Sequence, residues 1–262
     1  MDLELEGKIA LVTGGSRGIG RAIAGRLAAE GCDVALVART EADLETAAKE
    51  IARDTNRRVE VCAADLRTPD SQDAVESAVR SHFGRLDILV NNAGAVRGGP
   101  FLDVDDDQWE DGFALKFFGC VRTCRTFWPM LKESHGAVVN MSGTFAQVPH
   151  HNFMIGGAVN AAVMNFSKAL ANLGLVDDIN VNCIFPGGVA GTDVLTRNTA
   201  KQAEIEGIGF EDAMARNLAA QGIRRFATPD DVASYVSFLA SPVARHVQGT
   251  NAVIDGGAMK GL

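Results

Sequence analysis

Short runs of apolar and β-branched residues alternate along the chain with longer stretches whose apolar positions recur every three or four residues. The runs Lys8 to Thr13, Asp33 to Ala38, Arg58 to Ala63, Leu86 to Asn91, Gly136 to Met141, Ile179 to Ile184 and Asn251 to Ile254 read as strands. Most are apolar at nearly every position, the mark of strands buried on both faces, so they predict a parallel sheet covered by helices on each side. Between the first two strands, Ile19, Ile23, Leu27 and Ala28 keep helical spacing up to Gly31, a suitable glycine beyond a helix end. The expectation is an α/β fold with a seven-stranded parallel sheet. Nothing Pro-rich or Ser-rich divides the chain and no period of 20 to 50 residues repeats, so residues 1–262 read as a single domain. The segment from Gly187 to Phe210, rich in Gly, Thr and polar residues, is the least regular and is expected to be a long loop or surface flap.

Composition narrows the functional classes. The 262 residues carry 33 acidic and 25 basic side chains, a formal charge of −8, with 47% hydrophobic residues, which excludes disorder and small disulfide scaffolds. No stretch gathers the Lys and Arg that a nucleic-acid backbone requires, so no nucleic acid is expected as partner. Cys32, Cys62, Cys120, Cys124 and Cys183 are odd in number and sit among apolar residues, as reduced core thiols do. Cys120 and Cys124 share a helical face but lack further ligands for zinc, and no metal site is read. Residues Met1 to Glu6 show neither the basic nor the apolar part of a secretory signal, and no apolar run reaches the ~18 residues of a membrane span. A cytoplasmic protein without a membrane partner is expected.

Thr13-Gly14-Gly15-Ser16-Arg17-Gly18-Ile19-Gly20 joins the first strand directly to the first helix. Glycines there allow a tight turn and close backbone approach, while free N–H groups and the positive helix end favour a diphosphate. The Gly14, Gly18, Gly20 spacing is longer than the common dinucleotide fingerprint. Further along stand Asp65-Leu66, Asn91-Asn92-Ala93-Gly94 and Pro186-Gly187 with Val189 and Thr192, and then Thr228-Pro229-Asp230-Asp231-Val232-Ala233, Phe238-Leu239-Ala240-Ser241 and Asp255-Gly256-Gly257.

On these motifs the chain resembles the short-chain dehydrogenase/reductases over nearly its whole length. The resemblance implies a single-domain Rossmann fold and a nicotinamide dinucleotide held by Gly14, Ser16, Arg17, Gly18, Ile19, Gly20, Arg39, Asp65, Leu66, Asn92, Ala93, Gly94, Asn160, Pro186, Gly187, Val189 and Thr192. The second strand ends Val37-Ala38-Arg39-Thr40, without the Asp or Glu that grips a free 2′-hydroxyl. Arg17 and Arg39 instead offer guanidinium forks suited to a 2′-phosphate, so NADP(H) is expected in preference to NAD(H). A small-molecule substrate and a homotetramer or dimer are also implied, with the helices around Lys116 and Asn160 at the subunit contact and mixing with an active relative left open.

Family members usually act through Ser, Tyr, Lys and Asn. Following Val139-Asn140-Met141-Ser142, the serine place falls on Gly143; thirteen residues on, the tyrosine place is Gly156; four more bring the lysine place to Asn160. Counting from Trp109 puts the asparagine place at Lys116. All four are altered, and the one tyrosine, Tyr235, lies in a C-terminal packing segment. Two glycines, Gly156 and Gly157, opposite Gly143 are expected to open space beside the nicotinamide. The groups left to act are Lys116, as an acid or a cation facing an oxyanion, Ser142 by a one-residue loop adjustment, and His150 and His151 on the loop bordering the substrate mouth. Asn160 suits a ribose hydroxyl. Asp103 to Asp107 reads as a solvated helix cap. The expected activity is hydride transfer between the cofactor and a carbonyl or activated alkene; a non-catalytic NADP(H) sensor or partner subunit is the alternative, and a lyase or isomerase a third reading.

Overall fold

The computed structural model describes residues 1–94, 96 and 98–260. Its strands are β1 (Ile9–Thr13), β2 (Asp33–Ala38), β3 (Val59–Ala63), β4 (Ile88–Asn91), β5 (Ala137–Met141), β6 (Asn180–Pro186) and β7 (Asn251–Ile254). They pair in parallel in the order β3-β2-β1-β4-β5-β6-β7. The order reverses between β1 and β4, so the loops at the carboxyl ends of these two strands diverge to opposite faces and leave a crevice there.

The helices are α1 (Gly18–Ala29), α2 (Glu41–Thr55), α3 (Ser71–Phe83), α4 (Asp106–Phe113), α5 (Cys120–Ser134), α6 (Met154–Asp177), α7 (Asp193–Glu206), α8 (Phe210–Gln221) and α9 (Pro229–Leu239). Alternation along β1 feeds two cores: Ala10 and Val12 face Ile23 and Leu27 of α1, Leu44 of α2 and Val236 of α9, whereas Ile9 and Leu11 face Val75 of α3 and Phe127 and Leu131 of α5. Each fully buried Leu or Ile contributes about 1.5–3 kcal/mol, so the sheet is clamped from both sides. The five cysteines are free thiols, buried except for half-buried Cys62. Asp105 caps α4 through Gln108 in a reciprocal capping box, at 2.9 and 3.1 Å, which is the role its acidic run suggested. No helix among the described residues is long and apolar enough to cross a membrane.

The expected irregular segment Gly187 to Phe210 is corrected: most of it is α7, with Thr192 as N-cap accepting from the Leu195 N–H and Gly207 closing the helix in the left-handed conformation. Its polar composition hid a helix that leaves few residues buried, among them Thr199 and Ala203.

Candidate functional site

At the crevice the turn between β1 and α1 is built around backbone contact. Gly14 and Gly18 take φ of +66° and +55°, and a Cβ at Gly20 would stand 2.1 Å from the Gly14 carbonyl oxygen. Thr13 Oγ1 accepts from the N–H groups of Asn92 and Ala93, both at 3.0 Å, while Asn92 Nδ2 donates to the carbonyls of Thr13 and Gly14. The Asn92-Ala93-Gly94 turn is thereby locked against the glycine turn. No side chain caps the first turn of α1, and its unspent N–H groups with the helix dipole form an anion cradle.

Around this cradle lie the other candidates for cofactor contact. Arg17 is exposed and paired with Asp193 at 2.9 Å, tying the glycine turn to the start of α7. Arg39 is exposed at the end of β2. Ser16 is partly buried, and Ile19 packs on the first core. Asp65 accepts from the Arg67 N–H at 3.1 Å and Leu66 is buried beside it. Pro186 ends β6, Gly187 donates to the Ile254 carbonyl, Val189 bridges to Ala227, and Thr192 Oγ1 donates to the Val189 carbonyl.

The chemical end assembles around the peptide of Ser142 and Gly143, just past β5. Ser142 Oγ donates to the Asn160 carbonyl at 2.9 Å, which holds the hydroxyl on α6. The Ser142 carbonyl accepts from Lys116 Nζ at 3.0 Å. Gly143 is extended, and a Cβ there would lie 2.9 Å from Asn160 Nδ2. Asn160 is only 4% exposed, yet its Oδ1 is buried without a hydrogen-bond partner. Such a group costs about 1–3 kcal/mol until a donor satisfies it.

Lys116 sits in a π-helical stretch, Ala114–Gly119, between α4 and α5, a local widening of the helix that is often found at functional sites. Its stem crosses Gly94, where a Cβ would meet Lys116 Cδ and Cγ at 3.0 and 3.1 Å. Burial pushes the Lys116 ammonium down to about 8, and pushes the neighbouring Cys183 thiol up to about 12. Behind it, Asn91 donates to Asn140, Asn140 to Ser167, and Ser167 to the Val163 carbonyl, which ties β4, β5 and α6 into one frame.

The expectation of open space beside Gly156 is corrected. The Phe153 ring fills it: an ideal Cβ at Gly156 would lie 1.8 Å from Phe153 Cε1 and 2.2 Å from Cζ. A cavity of about 380 Å³ does lie close by, lined by Phe145, His150, His151, Phe153 and Gly157 among others, but not by Gly143 or Gly156. The two histidines therefore meet at a pocket wall, while Lys116, Ser142 and Asn160 meet at the end of β5. Tyr235 lies on α9, stacked on Phe238 against the first core.

A profile of the family described as short chain dehydrogenase matches residues 8–203. The chain belongs to the short-chain dehydrogenases. The D-threitol dehydrogenase of Mycolicibacterium smegmatis is 34% identical over 257 residues, covering 98% of this chain and 94% of its own. The 3-oxoacyl-[acyl-carrier-protein] reductase of Escherichia coli is 32% identical over 259 residues, covering 97% of this chain and 98% of its own. The L-sorbose reductase of Gluconobacter frateurii, solved with NADPH and L-sorbose, superposes with a TM-score of 0.94 at 35% identity, covering the whole of both chains. Within this short-chain dehydrogenase, sequence reasoning missed two features: the π-helical seat of Lys116 and the Phe153 ring over Gly156. The three-residue spacing from Phe153, the N-cap of α6, to Gly156 carried the only signal for the second.

Proposed function

We propose that the protein is an NADP(H)-dependent oxidoreductase that moves a hydride between the nicotinamide and a carbonyl or activated alkene without the usual Ser, Tyr and Lys. The observation that carries this reading is the Lys116 ammonium, bonded to the Ser142 carbonyl beside the unpartnered Asn160 carboxamide. The residues fit the cofactor. Gly20 admits no side chain against Gly14, Arg39 offers a guanidinium at the end of β2, and buried Asn160 Oδ1 lacks the donor that a ribose hydroxyl provides. The L-sorbose reductase solved with NADPH gives the same preference support.

When bound, NADPH supplies a hydride. At a carbonyl carbon, its addition leaves the pair of the C=O π bond on oxygen; at a conjugated alkene it leaves an enolate. Lys116 has three N–H donors and spends one on Ser142, so two remain to face that oxyanion, and one can deliver the proton. An enolate needs less help than an alkoxide and can take its proton from water, which makes conjugated acceptors the better substrates for a site with one acid. Gly143 and Gly156 contribute no hydroxyl, and Ser142 holds its own on Asn160.

The test is a cofactor titration followed by stopped-flow absorbance with a panel of ketones and enones. NADPH is expected to bind more tightly than NADH, with enones turned over faster than simple ketones. NADPH binding without turnover across the panel would replace this reading with a non-catalytic sensor or partner subunit.

A further inference from the structure

The Phe153 ring has a purpose-built seat. It covers Gly156 in the first turn of α6, and it lies against Gly98, where a Cβ would be 2.8 Å from Phe153 Cδ2 and 2.7 Å from the Asn152 carbonyl oxygen. Glycine is the poorest helix former after proline, and at position 156 the ring leaves no room for anything larger. The sequence thus gives up a side chain on α6 in order to place an aromatic ring from one turn earlier in the same volume.

That ring is one of four in a row. Phe153 tilts against Phe145 with centroids 5.0 Å apart, Phe145 meets His150 edge-on at 6.2 Å, and His150 stacks on His151 at 4.6 Å. All four line the cavity of about 380 Å³, whose remaining lining is Ala, Gly, Pro and Met. The volume lies within the range of small-molecule sites, and among the described residues that line it two imidazoles are the polar side chains. His150 Nδ1 accepts from the Asn152 N–H at 3.2 Å, so a neutral His150 carries its proton on Nε2 and offers a ligand one donor. Aromatic faces beside imidazole N–H donors match a flat ring bearing an acceptor oxygen.

We propose that this pocket holds the body of the acceptor, that the acceptor is a ketone fused to or conjugated with an aromatic ring, and that Phe153 is the residue that sets this preference. The ligand's role as hydride acceptor rests on the proposed function; the binding preference does not.

The probes are 1-tetralone and its saturated counterpart 1-decalone, titrated by calorimetry and ligand-detected NMR into the full chain without cofactor, so that the readout is independent of turnover. Native protein is expected to bind 1-tetralone about three- to tenfold more tightly, the span of an aromatic pair. Phe153→Leu, which keeps a branched apolar side chain on the seat, should bring the two affinities together, with thermal melting checking that the variant is folded. Phe153→Ala, tested alongside, should weaken both ketones. Equal affinities in the native protein, a preference retained in Phe153→Leu, or no binding of either ketone would each overturn the proposal. A tetralone preference in a protein that reduces no ketone or enone would sink the hydride-transfer reading and leave the pocket standing.

Discussion

Replacing Lys116 with methionine should yield a protein that is more stable and nearly inactive. Burial moves this lysine from 10.5 to about 8, a difference of about 3 kcal/mol against the charged form. Below pH 8 both the folded and unfolded chains hold the proton, and the folded state bears the full cost of the buried charge. Between about pH 8 and 10.5 the unfolded chain keeps a proton that the folded chain has released, so the native protein gains stability as pH rises. The bond to the Ser142 carbonyl offsets about 1–2 kcal/mol of the cost. Methionine, of similar length and without charge, should therefore stabilise the protein by about 1–2 kcal/mol at pH 7, or roughly 2–8 °C in Tm. That gain should vanish toward pH 10.5. Thermal and denaturant unfolding of both proteins across this range measure it. On the proposed reading, kcat/KM for enone reduction should drop about 100-fold in the variant, and for the native protein it should fall as pH rises through about 8 and the acid is lost. A Met variant no more stable at pH 7, or a gap that stays constant to pH 10.5, would refute the buried-charge argument; unchanged turnover would refute the role.

Gly156→Ala should cost about 1–3 kcal/mol by driving its methyl into the Phe153 ring; in a Phe153→Ala background the same change should become stabilising by up to about 1 kcal/mol, as helix propensity alone dictates, and denaturant melts of the four proteins give the sign directly. Arg39→Ala should weaken NADPH binding about tenfold or more and leave NADH nearly untouched, as read by fluorescence titration. Asp193→Asn should leave Tm unchanged within about 2 °C, because its pair with Arg17 is mostly exposed, yet tighten NADPH binding severalfold by freeing Arg17; a weaker affinity would show that Asp193 orders the site. Exchanging the two residues in Lys116→Asn/Asn160→Lys should retain more activity than either single change, since one variant removes the cation and the other adds a second to the same peptide of Ser142 and Gly143.

The sheet and its glycine turn were legible because the signals are local. A continuous apolar strand, a glycine turn and a helical stripe each report their own conformation, and the Asn92 turn follows from the same short motif that names it. Helix α7 was not, since it leaves few apolar residues buried to mark its face. The chemical end divides in the same way. Counting along the chain singled out Lys116 and Asn160, but it could not say that they meet at Ser142, because that depends on contacts 26 and 18 residues apart in sequence. The Gly156 error is the more instructive. A missing side chain was read as empty space, whereas a close-packed interior fills a vacancy from the nearest flexible source, here the aromatic ring one helical turn away. Under the proposed function this changes what the glycine means: position 156 has not simply lost a phenol, because the volume beside it has passed to Phe153, which carries no proton. On that reading chemistry and binding are separated, with the acid carried by Lys116 in the π-helical turn and the aromatic wall carried by the segment between β5 and α6. Reinstating a tyrosine at 156 without removing Phe153 would place two rings in one site, so recovery of ordinary ketone reduction requires both changes together.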